Sequence, residues 1–194
     1  MPHRNRVTPL GELIAHPARG LVYGNRGCLH DDEGRIRRHH RGTRWIACRL
    51  EFKERRRELL QPDRYTELFF LDDATALAAG HRPCAECRRA DYLHVLELTR
   101  SRSAGELDER LHAERLGPRP TVDVATLPVG AFVLGDGEAH VVAADGLRRW
   151  TPSGYGSPVE ATGALALVMP PILVAVLASG RRGEVPFLHP SSDA

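Results

Sequence analysis

Two cysteines set two residues apart, in Gly80-His81-Arg82-Pro83-Cys84-Ala85-Glu86-Cys87-Arg88-Arg89, restrict the local fold more than any other stretch. At that spacing both sulfurs can reach one small ion. Pro83 stiffens the approach, and the apolar positions Tyr92, Leu93, Val95 and Leu96 predict a helix running to about residue 101. Cys84 and Cys87 then lie at a helix N-terminus, where free backbone N–H groups and the helix dipole favour thiolate over thiol. Thiolate is the form that binds zinc. The competing readings are a redox dithiol, which calls for a strand–helix–strand setting, and two ordinary cysteines in a turn. No clean strand is legible immediately before the motif, which favours zinc.

A closed structural zinc site takes four ligands. The chain has four cysteines, so the simplest set is Cys28, Cys48, Cys84 and Cys87. His30 competes with Cys28 for the fourth position, and Cys48 has the alternative of packing as a small buried hydrophobe. His39 and His40 lie in an arginine-rich loop and read as solvent-exposed. His81 flanks the motif as a supporting or anion-contacting group. A catalytic zinc would keep one position open for water and need a nearby base, for which Glu86 and His30 are the candidates.

No run of 18 apolar residues exists, so no membrane span is expected, and residues 1–6 lack the apolar core of a secretory signal. A cytoplasmic setting follows as the expectation, and in it four cysteines favour metal over disulfides. The net charge of +2 decides nothing, but its distribution is uneven. Residues 26–57 hold eleven basic side chains against five acidic ones, a local +6, whereas residues 121–194 hold four against seven, or −3. A basic first half faces polyanions. The candidate contacts are Arg37, Arg38, Arg41, Arg55, Arg56, Arg57, Arg88 and Arg89, since the forked guanidinium suits phosphate. The alternative is a solvated arginine-rich surface.

The pattern predicts an α+β chain. Short strands are expected at 21–23, 45–52 and 68–71, with a small alanine-rich helix at 74–79 that Gly80 stops. Residues 10–15 suit one short helical turn. A second amphipathic helix, 107–116, ends at Gly117-Pro118, the expected domain boundary. The organisation is thus a zinc module with a helical extension, residues 1–117, followed by a β-rich module, residues 121–194. Runs at 131–134, 139–143, 147–150 and 164–169 suit a small antiparallel sheet. Pro170-Pro171 opens a last helix over 172–178, and the tail around Phe187 is expected to fold back.

From Glu67-Leu68-Phe69-Phe70 through Cys87 the order is strand, alanine-rich helix, glycine, His-Arg-Pro-Cys, two residues, Cys. This resembles the second half of the Ada-type zinc domain, the N-terminal metal-binding module of bacterial DNA alkylation-repair proteins. The likeness covers about residues 45–90. It implies that Cys84 and Cys87 are Zn(2+) ligands. The family has an upstream cysteine pair four residues apart; Cys48 matches one member, but Phe52 stands where the other would be. The family's methyl-accepting thiolate comes from that pair, so the departure bears on the chemistry. Cys28 replaces the missing ligand in this reading.

The function expected is zinc-stabilised binding of DNA or RNA through the arginine-rich surface. The alternatives are a zinc-dependent enzyme acting on nucleic acid, as thiolate alkyl acceptor or hydrolase, and a zinc-stabilised module that binds protein through its C-terminal half. No Ser-His-Asp pattern, phosphate-binding glycine loop or HExxH helix is present.

Overall fold

A computed structural model describes all residues apart from 55–57, 161, 181–182, 184 and 194. In chain order the elements are β1 (Arg6–Val7), β2 (Leu13–Ile14), β3 (Val22–Asn25), β4 (Ile46–Cys48), β5 (Leu68–Phe70), α1 (Asp73–Ala78), β6 (Arg82–Pro83), α2 (Arg89–Thr99) and α3 (Ala104–Leu116). There follow β7 (Thr121–Asp123), β8 (Phe132–Gly135), β9 (Glu138–Ala143), β10 (Gly146–Thr151), β11 (Gly154–Val159), β12 (Ala164–Leu167) and α4 (Pro171–Ala178). The class is mixed α+β. Among the described residues no helix is long and apolar enough to cross a membrane.

Two six-stranded sheets organise the chain. The first runs β2-β1-β5-β3-β4-β6, and its β1–β5 and β4–β6 pairings are parallel. The second runs β11-β10-β9-β8-β12-β7 and is antiparallel throughout. Asp136 and Gly137 both have positive φ and make the tight β8–β9 turn, whose twist suits a hairpin. The antiparallel module expected from residue 131 onward is therefore present, with β7 and β11 as additions. Gly154-Tyr155-Gly156-Ser157-Pro158 carries two glycines and a proline, so β11 has little strand signature. The strand expected over 45–52 is confined to β4; beyond it the chain turns away, with Lys53 and Glu54 in left-handed conformation. The turn of helix expected at 10–15 is instead the short strand β2.

α1 explains why an alanine-rich segment stands between the sheets. All six of its residues are buried. Ala76 joins the core under the first sheet with Val22, Leu68 and Phe70. Ala74, Leu77 and Ala78 join a larger core with Leu107 and Leu111 of α3, Phe132 and Val141 of the second sheet, and Leu173 of α4. Small side chains let the helix lie close to both. That larger core spans both sides of Gly117.

Asp72 fixes the start of α1. Its Oδ1 accepts from Thr75 N (2.8 Å) and Thr75 Oγ1 (2.7 Å), while Oδ2 accepts from Tyr155 Oη (2.6 Å) and His189 N (2.8 Å). Pro186 O and Phe187 O accept from the N–H groups of Asp73 and Ala74, so the tail does return to the body. One carboxylate thus joins the first-half helix, the second sheet and the C-terminal tail. Asp72→Ala removes the cap and leaves buried donors unmet, and is expected to cost about 2–4 kcal/mol. Asp72→Asn keeps the capping geometry and is expected to lose clearly less, as read by urea unfolding.

Candidate metal centre

The parallel pairing of β4 with β6 creates the cysteine cluster. Ile46 lies opposite Arg82 and Ala47 opposite Pro83, so the next residues, Cys48 and Cys84, leave the same end of the ladder together. Ala47 O accepts from Cys84 N at 2.9 Å and locks that register. The chain then makes a turn, with Arg88 N donating to Cys84 O (3.1 Å), and brings Cys87 back before α2 begins. The sulfurs of Cys48, Cys84 and Cys87 all lie within 4.8 Å of one another. A tetrahedral thiolate zinc, with Zn–S near 2.3 Å, needs sulfurs about 3.8 Å apart. The three are therefore close enough to share one metal ion. The two-residue strand β6 does lead into the motif, which the sequence did not reveal; Pro83 within it carries no strand signature.

Apolar residues wall the cluster. Tyr23, opposite Cys48 on β3, packs on it together with Ile46, Phe52 and Phe69. Phe52, four residues after Cys48, packs here as a hydrophobe. Cys48 and Cys87 are buried and Cys84 is half-buried. Hydrogen bonds from Cys48 and Cys87, and the N–H groups of Cys87 and Glu86, push the Cys84 thiol far down. Glu86 N donates to its sulfur at 3.4 Å. The same sharing drives Cys48 strongly up, with burial adding to it. For Cys87 the Cys48 contact lowers the pKa, but the Cys84 contact and burial outweigh it and raise it. Among the three, the shared contacts favour thiolate character on Cys84, the form a metal ion needs.

Cys28 does not join this group. It is half-buried, and its sulfur donates to His30 O at 3.6 Å. His30 is buried elsewhere, with Nδ1 2.6 Å from Thr66 Oγ1 and Nε2 3.2 Å from Gln61 O. Glu86 is exposed, with Lys53 Nζ 3.6 Å from its carboxylate. A depression lined by Arg49, Glu51, Phe52, Lys53 and Glu54 lies on the loop directly after Cys48.

The arginine assignments divide. Arg88 is a correction: it is 1% exposed, and no phosphate backbone can reach it. Its Nη1 and Nη2 donate to Asp73 at 2.6 and 2.7 Å, and Nε donates to Asp91 at 2.9 Å. Burial alone would lower its pKa, but the two carboxylates reverse this and hold it above the ordinary arginine value. Nothing within the local polar run marks that Asp73, fifteen residues earlier, turns Arg88 inward. Arg37, Arg38, Arg41 and Arg89 are exposed. Arg37 is tied to Asp31 at 2.7 Å, an acid it shares with Arg35. Arg55, Arg56 and Arg57 lie outside the described residues.

His39 is exposed as expected, but His81 and His40 depart from expectation. His81 is fully buried, its ring 4.6 Å from Phe70 and 5.1 Å from Trp45. Burial and the charges of Arg26 and Arg115 hold it well below its ordinary pKa. His40 is half-buried and packs on Trp45 and His112. Sequence reasoning gave no role to Arg26, His112 or Arg115; the residues of this second cluster are scattered over ninety positions, and only a tertiary fold unites them.

No protein-family model matches the chain, and no curated protein and no solved structure matches it. Arg88→Ala strands two buried carboxylates and is expected to destabilise the fold by about 3–5 kcal/mol. Arg89→Ala, one residue on and exposed, is expected to leave the unfolding midpoint in place. Denaturant titration of the pair distinguishes an arginine of the interior from one of the surface.

Proposed function

We propose that the chain is a thiolate zinc protein that binds nucleic acid. The observation that carries this is the convergence of Cys48, Cys84 and Cys87, from two strand ends and a turn, on one point. Three soft sulfurs in a largely apolar wall suit zinc, and a reducing compartment would keep them free to bind it. The likeness of residues 45–90 to an Ada-type module agrees with this ligand set, apart from the missing second upstream cysteine. Nucleic acid is the partner that suits the exposed Arg38, Arg41, Arg44 and Arg89, none of which has an ion-pair partner among the described residues. Arg88 no longer contributes to that reading.

The ligand count favours a second reading of the same centre. Three sulfurs leave one zinc position open, the arrangement of reactive rather than closed sites. A water in that position would serve hydrolysis; in the acceptor reading the Cys48 thiolate would itself attack the alkyl carbon, the S–C bond forming as the C–O bond of a phosphate ester breaks and the phosphodiester anion leaves. Zinc would supply Lewis acidity and hold thiolate character; the residues themselves set the ligand geometry and exclude water from all but one side.

Purified protein is expected to carry one equivalent of zinc. Cys48→Ser, Cys84→Ser and Cys87→Ser should each lose most of it, and Cys28→Ser should keep it, by elemental analysis. Because the thiols must lose protons to bind, zinc is expected to leave as pH falls. Protein without metal, or equal loss in all four variants, overturns the three-sulfur centre. Binding to duplex or single-stranded DNA is expected to weaken with salt, with a log–log slope of about −2 to −4 if three or four phosphates are contacted. Salt-independent binding, or none, removes the nucleic-acid reading. A mass increase of one methyl on Cys48 after incubation with methylated DNA separates the acceptor reading from simple binding.

A further inference from the structure

Arg26 is fully buried, yet it has no carboxylate partner among the described residues. Its Nη2 donates to Gly11 O at 2.7 Å, while Nε and Nη1 have no hydrogen-bond partner there. Burial, and then the charge of Arg115, pull its pKa down to about 9, so the guanidinium still carries its charge at neutral pH. Arg115 adds a second positive charge, held by Gly80 O (2.9 Å to Nε) and Thr43 O (3.1 Å to Nη1) rather than by an acid. Both guanidiniums lie over Trp45, at 4.6 and 4.5 Å from the ring centroid.

Histidines complete the surroundings. The rings of His40 and His112 are 5.1 Å apart and 5.5 and 6.5 Å from Trp45. The Nδ1 atoms of both are buried without a partner among the described residues. A cleft is lined by Gly11, His39, His40, Trp45 and Arg115, with Glu114 also on its wall. A Cβ on Gly11 would meet Arg26 Nη1 at 3.7 Å, so the free guanidinium nitrogen is buried directly behind the Gly11 wall of the cleft. Of the surrounding acids, Asp108 takes Nε and Nη2 of Arg82, Glu114 accepts from Ile172 N, and Glu12 acts on His39. The imidazoles form no three-ligand group with one another or with an acid among the described residues, and two guanidiniums would repel a cation.

We propose that this cleft binds a phosphate-type oxyanion against His40, Arg115 and Trp45, with the buried Arg26 and His112 directly behind that wall supplying charge and donors. The physical reason is compensation: an anion supplies the acceptors that these buried donors lack and the charge that two adjacent guanidiniums lack. Tetrahedral phosphate accepts hydrogen bonds from several directions at once, which suits donors on three separate segments. The source is either the free anion or the terminal phosphate of a nucleotide chain. This site stands apart from the cysteines and does not depend on the metal reading.

The test is thermal unfolding of the whole chain in sodium phosphate against sodium chloride of equal ionic strength. Phosphate is expected to raise the midpoint in a saturable way. Parallel titrations with a 5′-phosphorylated and a 5′-hydroxyl oligonucleotide assign the source. A shift with inorganic phosphate identifies the free anion, and a shift with the phosphorylated strand alone identifies a chain terminus. Arg26→Gln is expected to abolish the shift. Should that variant fail to fold, His112→Gln decides, with affinity expected to fall about tenfold. The proposal is overturned by equal effects of chloride and phosphate, by equal effects of the two oligonucleotides with none from phosphate, or by variants that keep the full shift.

Discussion

The short parallel ladder between β4 and β6 governs both candidate sites. Two hydrogen bonds define it: Arg82 N to Trp45 O at 3.1 Å and Cys84 N to Ala47 O at 2.9 Å. At one end the register sets Cys48 beside Cys84. At the other it sets Trp45 beside His81. A slip of one residue would turn each side chain to the opposite face and separate both pairs. Two-residue pairing is weak by itself. The ladder holds because its surroundings over-determine it: Pro83 restricts its own φ, α1 leads the chain in, and Arg82 is clamped by Asp108 of α3 with both contacts at 2.9 Å. Few of these supports are local, so the ladder is a product of the whole fold.

Arginine serves in this chain in two opposite ways, and its chemistry follows from its partners. Arg82 and Arg88 are buried against carboxylates, with Pro83 O taking the remaining Nη1 of Arg82, so they tie α3 to the first sheet and α2 to α1. Removing either member of such a pair leaves a bare charge inside, which is why these contacts resist substitution although they add little over an apolar replacement of the whole pair. Arg26 and Arg115 are held by backbone carbonyls and aromatic faces. Cation–π contact with Trp45 offsets part of the cost of desolvating the two guanidiniums, on the order of 2 kcal/mol each. The remainder is a standing strain in electrostatic form. Proteins tolerate such imbalance where a ligand completes it, and rarely elsewhere.

What could be read from the sequence were the features that are local. The α+β class, the cysteine pair before α2, the helices after it and the antiparallel strands from β8 onward follow from periodicity and turn residues within a few positions. Cys48 was recoverable because only four cysteines exist and one alternating strand carries it. Cys28 and Arg88 were not, since their fate depends on residues distant in sequence: Cys28 turns toward His30 O, and Arg88 finds Asp73 across α1. The strands β7 and β11 escaped for a related reason. β7 is only three residues long and β11 carries two glycines and a proline, so pairing with neighbours already in a sheet decides their conformation. The Trp45 cluster draws on residues from Arg26 to Arg115, a spacing that no motif encodes.

The two ends of the ladder also differ in what they ask of the solvent. At the cysteine end, thiols that share protons become a stable arrangement when a dication replaces those protons, so the missing charge there is positive. At the Trp45 end, cations lie without acids, so the missing charge is negative. A single rigid strand pair therefore separates two complementary deficits by only a few residues along β4. Each deficit is tolerable because α1, filled with alanine and capped by Asp72, packs both sheets closely enough to supply the stability elsewhere. Cohesion thus rests on the helices and the second sheet, while the unpartnered buried atoms of Arg26, His40, His81 and His112 all lie before Gly117 in the chain.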